Sequence, residues 1–500
     1  MRSNKKRTLK LLLVAWVLAL SNGLLGQDPE LSTQTYFSEQ KEFGNPVWGY
    51  IFSDFAGFYQ NSPEVFESKI DSFRSLYTDH LVVYEGVLTD SLYRHENAAI
   101  RLAFDKLLLE YEIHHPIYAT EDAELSENTL NYLEENSVYF NDTLYASNRD
   151  VQAYISSYVD LHASRLVEGG FIKLKDNKYL VAKWQVVNTI FKNQEIREAY
   201  QYKILDDYIN NYGTKNLERF VNEFEERARD KENVNAILDK YQKALLGYND
   251  HSKEVYKTVD GSDLQLHLFP PTIKKEQAPT IVYFHGGSWS EGKPDWFFES
   301  AKSYASKGWF AIAVEYRIKG RHNTLPFSAV KDAKSAIRWI RSNSEEYDID
   351  PNKIVVTGNS AGGHLALSTI LIDTLNEKSD DLNISPFPNA IMVNSAVYDL
   401  TVTNSKWIVR DYTNKEIIKI ISPNHNLKMV EVPILMIHGE KDGSCLYSSA
   451  QYFFQEMKKI GNDIELISIP EANHFIWFGK HAGIVNQAQA EFLFKINFLE

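Results

Sequence analysis

The sequence has a single cysteine, Cys445, among its 500 residues. One thiol excludes an internal disulfide and any metal site built from several cysteines. Basic residues are also in the minority, because 53 lysines and arginines face 67 aspartates and glutamates, a formal net charge of −14. This balance argues against nucleic acid as a partner and against electrostatic docking on an anionic membrane. Because it cannot form an internal disulfide, the chain must be stabilised by packing rather than by covalent cross-links.

Long apolar runs are scarce, and the one at the N-terminus is short. Leu11 to Leu20 is apolar and follows a basic stretch, which is the layout of a secretory signal and is too short to span a membrane as a helix. Residues 1–26 are therefore predicted to be a signal peptide, with cleavage after Gly23 or Gly26. No cysteine directly follows the run, so we expect a secreted or periplasmic protein without a lipid anchor; an uncleaved N-terminal anchor is the alternative.

Residues 27–250 carry helical patterns throughout and predict an all-α N-terminal domain of unknown role and unknown protein partner. Apolar residues recur there with the spacing i, i+3, i+4 and i+7. One such set is Leu217, Phe220, Val221 and Phe224. Asn97 is the predicted N-cap of a helix with Ile100, Ala103, Leu107 and Leu108 on one face.

From residue 251 to residue 500, short apolar strands alternate with helices. This alternation predicts an α/β domain, a doubly wound and mostly parallel sheet whose chemistry lies at the carboxyl ends of the strands. A leading hairpin is predicted around Asp260-Gly261. The predicted strands cover residues 255–259, 264–269, 280–284, 310–314, 353–357, 390–394, 434–437 and 464–469.

Ser360 lies in a Gly-x-Ser-x-Gly motif between one of these strands and a helix-compatible stretch. That is the layout of a nucleophile elbow, a strained turn that exposes a serine hydroxyl. Asp442 and His474 follow the last two predicted strands. The chain order Ser, Asp, His is the order of an α/β-hydrolase triad. We therefore predict Ser360 as nucleophile, His474 as general base and acid, and Asp442 as the carboxylate that orients His474.

Two glycines after the strand at 280–284 predict the rest of an oxyanion hole. Backbone N–H groups of Gly287 and Ala361 are the expected donors, and Gly286 shapes the turn. No metal site is predicted.

Alternatives remain for several residues near the predicted site. Asp399 and Glu440 compete with Asp442 for the role of the orienting acid. His438, His285 and His364 are expected to support the site by packing and hydrogen bonding, and Cys445 to fill space as a small apolar residue.

These motifs resemble the esterase and lipase branch of the α/β-hydrolase superfamily over residues 255–490. Within it the chain is similar to exported carbohydrate esterases of the acetyl-xylan and feruloyl type. The resemblance rests on His285-Gly286-Gly287-Ser288-Trp289, Glu315-Tyr316-Arg317, Asp350-Pro351, Gly358-Asn359-Ser360-Ala361-Gly362-Gly363, Ser422-Pro423 and His438-Gly439 with Asp442. Ser288 departs from a third glycine, and Glu315 stands where aspartate is usual.

The resemblance implies an exported serine esterase that cleaves small carboxylic esters without a cofactor, with acylated saccharides as possible substrates. Candidate substrate contacts are Ser288, Trp289, Tyr398 and Trp477, with Trp296 and Trp407 as further aromatic residues near the predicted mouth. Two alternatives stay open. One is a serine peptidase or amidase of the prolyl-oligopeptidase or formamidase type, and the other is a non-catalytic binding protein with the same fold.

Overall fold

The structure is a computed structural model that describes residues 29–119, 123–173, 177–273, 276–402, 408 and 416–499. The predicted signal peptide and Trp407 lie outside these described residues. Contacts between residues divide the chain into two compact units. The first unit comprises Met1–Arg165 and Lys183–Tyr200, and the second comprises Leu166–Ala182 and Gln201–Glu500. The second unit therefore takes in helical residues that precede the change of pattern at 250.

Helices make up the regular structure of the described residues before the first strand, as the sequence predicts. The buried apolar spacing explains them, and Phe220, Val221 and Phe224 lie on one buried face. The α-helices are α1 (Pro29–Ser53), α2 (Phe55–Tyr59), α3 (Pro63–Val83), α4 (Asp90–Tyr118), α5 (Glu127–Glu135), α6 (Arg149–Glu168), α7 (Lys178–Ile190), α8 (Gln194–Tyr212), α9 (Glu218–Arg227) and α10 (Lys231–Asn249). No helix among the described residues is both long and apolar enough to cross a membrane.

The start of α4 corrects one prediction. Thr89 is the N-cap, and its hydroxyl accepts a hydrogen bond from the Leu92 N–H at 3.3 Å. Asn97 lies inside the helix, so its predicted role as a cap is wrong. Threonine and asparagine both cap helices, and the sequence holds both within one helical pattern. The predicted face is confirmed as buried at Ile100, Leu107 and Leu108, whereas Ala103 is half-buried.

Eight strands after residue 250 form one sheet in the described part of the chain. They are β1 (Ser252–Val259), β2 (Ser262–Phe269), β3 (Ala278–Phe284), β4 (Phe310–Val314), β5 (Ile349–Asn359), β6 (Ala390–Asn394), β7 (Ile434–Gly439) and β8 (Ile464–Ile469). Their order across the sheet is β1-β2-β4-β3-β5-β6-β7-β8. β2 pairs antiparallel with β1 and β4, and the remaining neighbours pair in parallel. The predicted hairpin and mostly parallel sheet are confirmed.

Helices cover both faces of this sheet, because alternate strand residues point to opposite sides. Val282 and Phe284 of β3 pack in one apolar cluster with α13 and α14, whereas Ile281 and Tyr283 pack in another with α11 and α17. The helices of this part of the chain are α11 (Phe298–Ala305), α12 (Lys319–His322), α13 (Pro326–Ser342), α14 (Ala361–Leu371), α15 (Glu416–Lys419), α16 (Tyr447–Ile460) and α17 (Ala482–Lys495).

The parallel register aligns the carboxyl ends of the central strands. Phe284 pairs with Gly358, and Asn394 pairs with both Asn359 and Ile437. β7 and β8 end beside each other in the same way. Loops that follow β3, β5, β7 and β8 therefore meet at one edge of the sheet, where the sequence placed the predicted chemistry.

Candidate active site

Ser360 lies at the junction between β5 and α14. Its backbone has φ 53° and ψ −120°, a conformation that costs a non-glycine residue roughly 1–3 kcal/mol. Close packing enforces the turn, since a Cβ on Gly362 would lie 1.9 Å from the carbonyl oxygen of Phe284. The Ser360 N–H donates to Asn394 O at 3.0 Å, which ties the turn to β6. The arrangement is a nucleophile elbow.

The loop after β3 runs directly beside this elbow. A Cβ on Gly286 would lie 3.4 Å from the Cβ of Ser360. The next three residues all have positive φ: Gly287 98°, Ser288 51° and Trp289 56°. Ser288, which replaces the third glycine of related loops, therefore has a backbone conformation that favours glycine. The loop carries local strain next to the candidate nucleophile.

Asp442 and His474 form the second half of the site. The Nδ1 of His474 lies 2.8 Å from Oδ2 of Asp442. The other carboxylate oxygen, Oδ1, accepts hydrogen bonds from the N–H groups of Ser444 and Cys445, both at 2.8 Å. Asp442 is 5% exposed and His474 is 9% exposed. A buried carboxylate held in this way fixes the tautomer of the imidazole, with the proton on Nδ1 and Nε2 free to accept one.

A second histidine also contacts Asp442. The Nε2 of the fully buried His438 lies 2.8 Å from the carbonyl oxygen of Cys445 and 3.3 Å from Oδ2 of Asp442. Burial alone would raise the pKa of Asp442, but hydrogen bonds from His438, His474 and the Cys445 N–H hold it well below its usual range. The carboxylate therefore stays ionised. His438 is expected from the sequence to support the site by packing and hydrogen bonding. The structure shows that it contacts Asp442, which the sequence did not indicate.

Cys445 lies among the candidate catalytic groups rather than at a distance from them. Its Sγ is 4.0 Å from Oγ of Ser360. The same sulfur, a carboxylate oxygen of Asp442 and a ring nitrogen of His474 all lie within 4.8 Å of one another. These contacts join Ser360 to the Asp442–His474 pair in one cluster. The expectation that Cys445 merely fills space is therefore incomplete.

The competing acids lie elsewhere. Asp399 pairs with His425, whose Nε2 is 3.3 Å from Oδ2 of Asp399. Glu440 is exposed. Among the described residues, Asp442 is thus the one of the three candidate acids whose carboxylate bonds to His474.

Other histidines near the site are buried in neutral form. His364 donates through Nε2 to Ile421 O at 2.7 Å, and burial lowers its pKa to about 4. Burial also lowers the pKa of His285 to about 4. Both therefore serve packing and hydrogen bonding, as the sequence indicated.

The structure separates the four substrate-contact candidates. Trp289 is fully buried and packs edge-on against His364, with ring centroids 4.9 Å apart. Tyr398 is 1% exposed. Neither ring has a face open to a sugar in this structure. Trp477 is half-buried and lies 5.4 Å from the His474 ring centroid, and Ser288 is half-buried in the loop after β3.

The geometry defines the class of protein. A strained serine elbow, a glycine-containing loop beside it and an Asp–His pair lie at strand ends along one edge of a mostly parallel sheet. The chain is an α/β-hydrolase of the esterase and lipase branch. The protein-family profile described as BD-FAE matches residues 266–457. The family resemblance and the fold that the sequence predicts are both confirmed.

Two of the curated relatives that the chain resembles are esterases by name. Carboxylesterase NlhH of Mycobacterium tuberculosis is 33% identical over 107 residues, which are 21% of this chain and 33% of that protein. Esterase LipQ of the same organism is 26% identical over 226 residues, which are 41% of this chain and 52% of that protein. The chain therefore spans between a third and about half the length of these relatives.

A solved esterase from the Planctomycetes species Thermogutta terrifontis is 34% identical to this chain. The match covers 50% of this chain and 94% of that one, with a TM-score of 0.47.

Proposed function

We propose that the second unit hydrolyses small carboxylic esters through an acyl-enzyme formed on Ser360. The observation that carries the proposal is the 2.8 Å hydrogen bond between His474 and the buried Asp442, in one cluster with a serine on a strained elbow. Relatives named carboxylesterase and esterase support the same reaction class.

In the first step, Oγ of Ser360 attacks the ester carbonyl carbon while Nε2 of His474 accepts the hydroxyl proton. The tetrahedral intermediate collapses, the C–O bond to the alcohol breaks, and His474 returns the proton to the leaving alcohol. A water molecule then attacks the acyl-enzyme by the same route and releases the acid. Asp442 stabilises the imidazolium that forms in each step.

The oxyanion of each tetrahedral intermediate needs donors on the opposite side. We assign this role to the backbone N–H groups of Gly287 and Ala361, because the loop carrying Gly286 lies against Ser360 and Ala361 begins a helix. Loss of one such donor typically costs about 3 kcal/mol of transition-state stabilisation.

Hydrolysis of p-nitrophenyl acetate tests the proposal. Ser360→Ala should abolish turnover above the background rate, because the nucleophile is lost, and Ser306→Ala is the matched control on an exposed serine. Paraoxon should add one phosphoryl group to the wild type, located on Ser360 by peptide mass spectrometry. Undiminished hydrolysis by Ser360→Ala, or labelling at another residue, would contradict it.

The same assay separates the alternatives. Faster turnover of p-nitroanilide amides than of the matched esters would favour a peptidase or amidase. A folded wild-type protein with no turnover and no labelling would favour a binding protein.

We further propose that acylated saccharides are substrates, with Trp477 stacking on a sugar ring beside His474. Trp477→Ala should raise KM for acetylated xylo-oligosaccharides more than for p-nitrophenyl acetate. An equal rise in KM for both substrates would contradict a contact between Trp477 and the sugar.

We also propose export, supported by the basic and apolar character of residues 1–26. Expression with the native N-terminus, followed by N-terminal sequencing of the protein from outside the cytoplasm, should find a start near residue 27. An intact N-terminus on cytoplasmic protein would contradict export.

A further inference from the structure

Cys445 is the one nucleophilic group in the candidate site that ester hydrolysis does not use. It is 7% exposed and lies 4.0 Å from Oγ of Ser360. It also lines a small pocket together with Tyr398 and Asp399.

The neighbours of this sulfur are metal-ligating groups. Its Sγ, a ring nitrogen of His474 and a carboxylate oxygen of Asp442 lie within 4.8 Å of one another. Thiolate, imidazole and carboxylate together form a donor set that binds Zn²⁺ and similar thiophilic cations. Zinc bonds of about 2.0–2.3 Å place two donors on one ion somewhat closer together than this limit. On cation binding, rotation of the Cys445 and His474 side chains would bring these donors closer together while Asp442 stays in place.

We propose that Cys445, His474 and Asp442 form an inhibitory site for a thiophilic divalent cation such as Zn²⁺. On binding, Cys445 loses its S–H proton to solvent, and the thiolate sulfur, the unprotonated ring nitrogen of His474 and a carboxylate oxygen of Asp442 each donate an electron pair to the cation. No oxidation is involved. The bound cation engages the base and the carboxylate that ester hydrolysis requires, so binding and turnover exclude each other. The inhibitory consequence, though not the binding, rests on the proposed function.

The single cysteine makes a direct test possible. Cd²⁺ bound to a thiolate produces an ultraviolet charge-transfer band, and in this chain such a band can arise only from Cys445. Titration of the full-length protein with Cd²⁺ should give this band at one equivalent. His474→Ala should weaken Cd²⁺ affinity by about tenfold or more, whereas His425→Ala, which removes a histidine outside the cluster, should leave it unchanged.

Activity supplies the second readout. Cd²⁺ should inhibit hydrolysis of p-nitrophenyl acetate, with half-maximal inhibition at the same Cd²⁺ concentration as the midpoint of the absorbance titration. Cys445→Ser should raise the Cd²⁺ concentration for half-maximal inhibition by about tenfold or more, when each variant is compared with its own metal-free rate.

Absence of the band, or equal Cd²⁺ affinity in wild type and His474→Ala, would overturn the site. Equal inhibition of wild type and Cys445→Ser would overturn its inhibitory action. Because the band needs no turnover, a protein that binds Cd²⁺ but hydrolyses no ester would refute the proposed function and leave the metal site standing.

Discussion

Asp442 illustrates how single residues are held in this site. Its two carboxylate oxygens receive N–H groups from Ser444 and Cys445 on one side and histidine nitrogens from His438 and His474 on the other. A carboxylate satisfied in this way has one position and one charge state. The direction in which His474 presents its free nitrogen therefore depends on groups that never contact a substrate.

His438→Leu tests that dependence. Loss of the His438 hydrogen bond should raise the pKa of Asp442 and loosen the carboxylate. We expect kcat to fall about tenfold, in the range of lost supporting contacts. KM should change little, because His438 lies behind Asp442.

Matched kinetics of His438→Gln provide the control, since its amide can donate where Nε2 does. Gln should restore much of kcat. An equal loss in both variants would show that His438 acts only through packing.

At the scale of elements, a buried charge cluster joins β1, the segment after β4 and α13. Asp332 is fully buried and accepts from Nζ of Lys257 at 2.6 Å and from Arg317 Nε at 2.9 Å. Glu377 lies 2.9 Å from both cations. Two carboxylates thus balance two buried cations. Arg317 also lies 3.6 Å from Asp260, but that carboxylate is exposed, so compensation of the buried ions depends mainly on Asp332 and Glu377.

Asp332→Asn should therefore lower the free energy of unfolding by about 3–5 kcal/mol, because it leaves buried positive charge uncompensated. Urea denaturation of the purified variant measures this. Glu456→Gln, which breaks the exposed pair with Lys459, is the control and should match the wild type within error. A small effect of Asp332→Asn would mean that water or Glu377 compensates the cations.

The end of α8 supports the loop next to the elbow. The last carbonyl groups of a helix lack intrahelical donors. Here the Gly292 N–H donates to Asn211 O at 2.9 Å, and Nζ of Lys293 donates to Ile209 O at 2.9 Å. A helix that precedes the sheet in sequence thus fixes the loop that carries Gly287.

Lys293→Met should destabilise the protein by about 1–3 kcal/mol, because Ile209 O and the nearby Asp295 carboxylate lose a charged donor. We also expect kcat to fall more than KM rises, since the loop bears a predicted oxyanion donor. Thermal unfolding and steady-state kinetics measure the two effects. Lys307→Met, on an exposed lysine, is the control, and identical behaviour of the two variants would contradict the role of Lys293.

At the scale of the whole molecule, neutral histidines buried in the sheet-containing unit link stability to pH. Burial lowers the pKa of His364 and His285 to about 4 and that of His267 to about 3. In the unfolded chain a histidine takes up its proton near pH 6.5. Between pH 6.5 and about 4 the unfolded state therefore binds more protons than the native state, so stability falls as pH falls.

His364→Gln isolates this contribution, because the amide can still donate to Ile421 O. Between pH 7 and pH 4.5 the wild type should lose about 2–3 kcal/mol more unfolding free energy than the variant. Urea titrations at both pH values give the comparison, and all other titrating groups cancel in it. Parallel curves would show that His364 is protonated in the native state.

Motif and periodicity were sufficient to predict the sheet and its leading hairpin, and they indicate the candidate residues Ser360, Asp442 and His474. Apolar strands and glycine-bounded turns are local signals, so they are readable residue by residue. The cap of α4 was mispredicted, since Thr89 and Asn97 carry the same local signal and only the contacts of the helix decide between them.

Other features depend on residues far apart in the chain. The approach of Cys445 to Ser360, the contact of His438 with Asp442 and the burial of Trp289 against His364 arise only when strands and loops come together. A tryptophan beside a glycine pair looks the same in sequence whether its ring faces a substrate or the core.

By itself, the sequence determined which chemistry-bearing residues end which strands, because strand periodicity and turn glycines are local properties of the chain. Tertiary structure alone decided which acid faces His474, that a thiol joins the cluster, and that α8 fixes the loop beside Ser360. Each of these is a distance between segments, and such distances are set by packing and register rather than by any short stretch of residues.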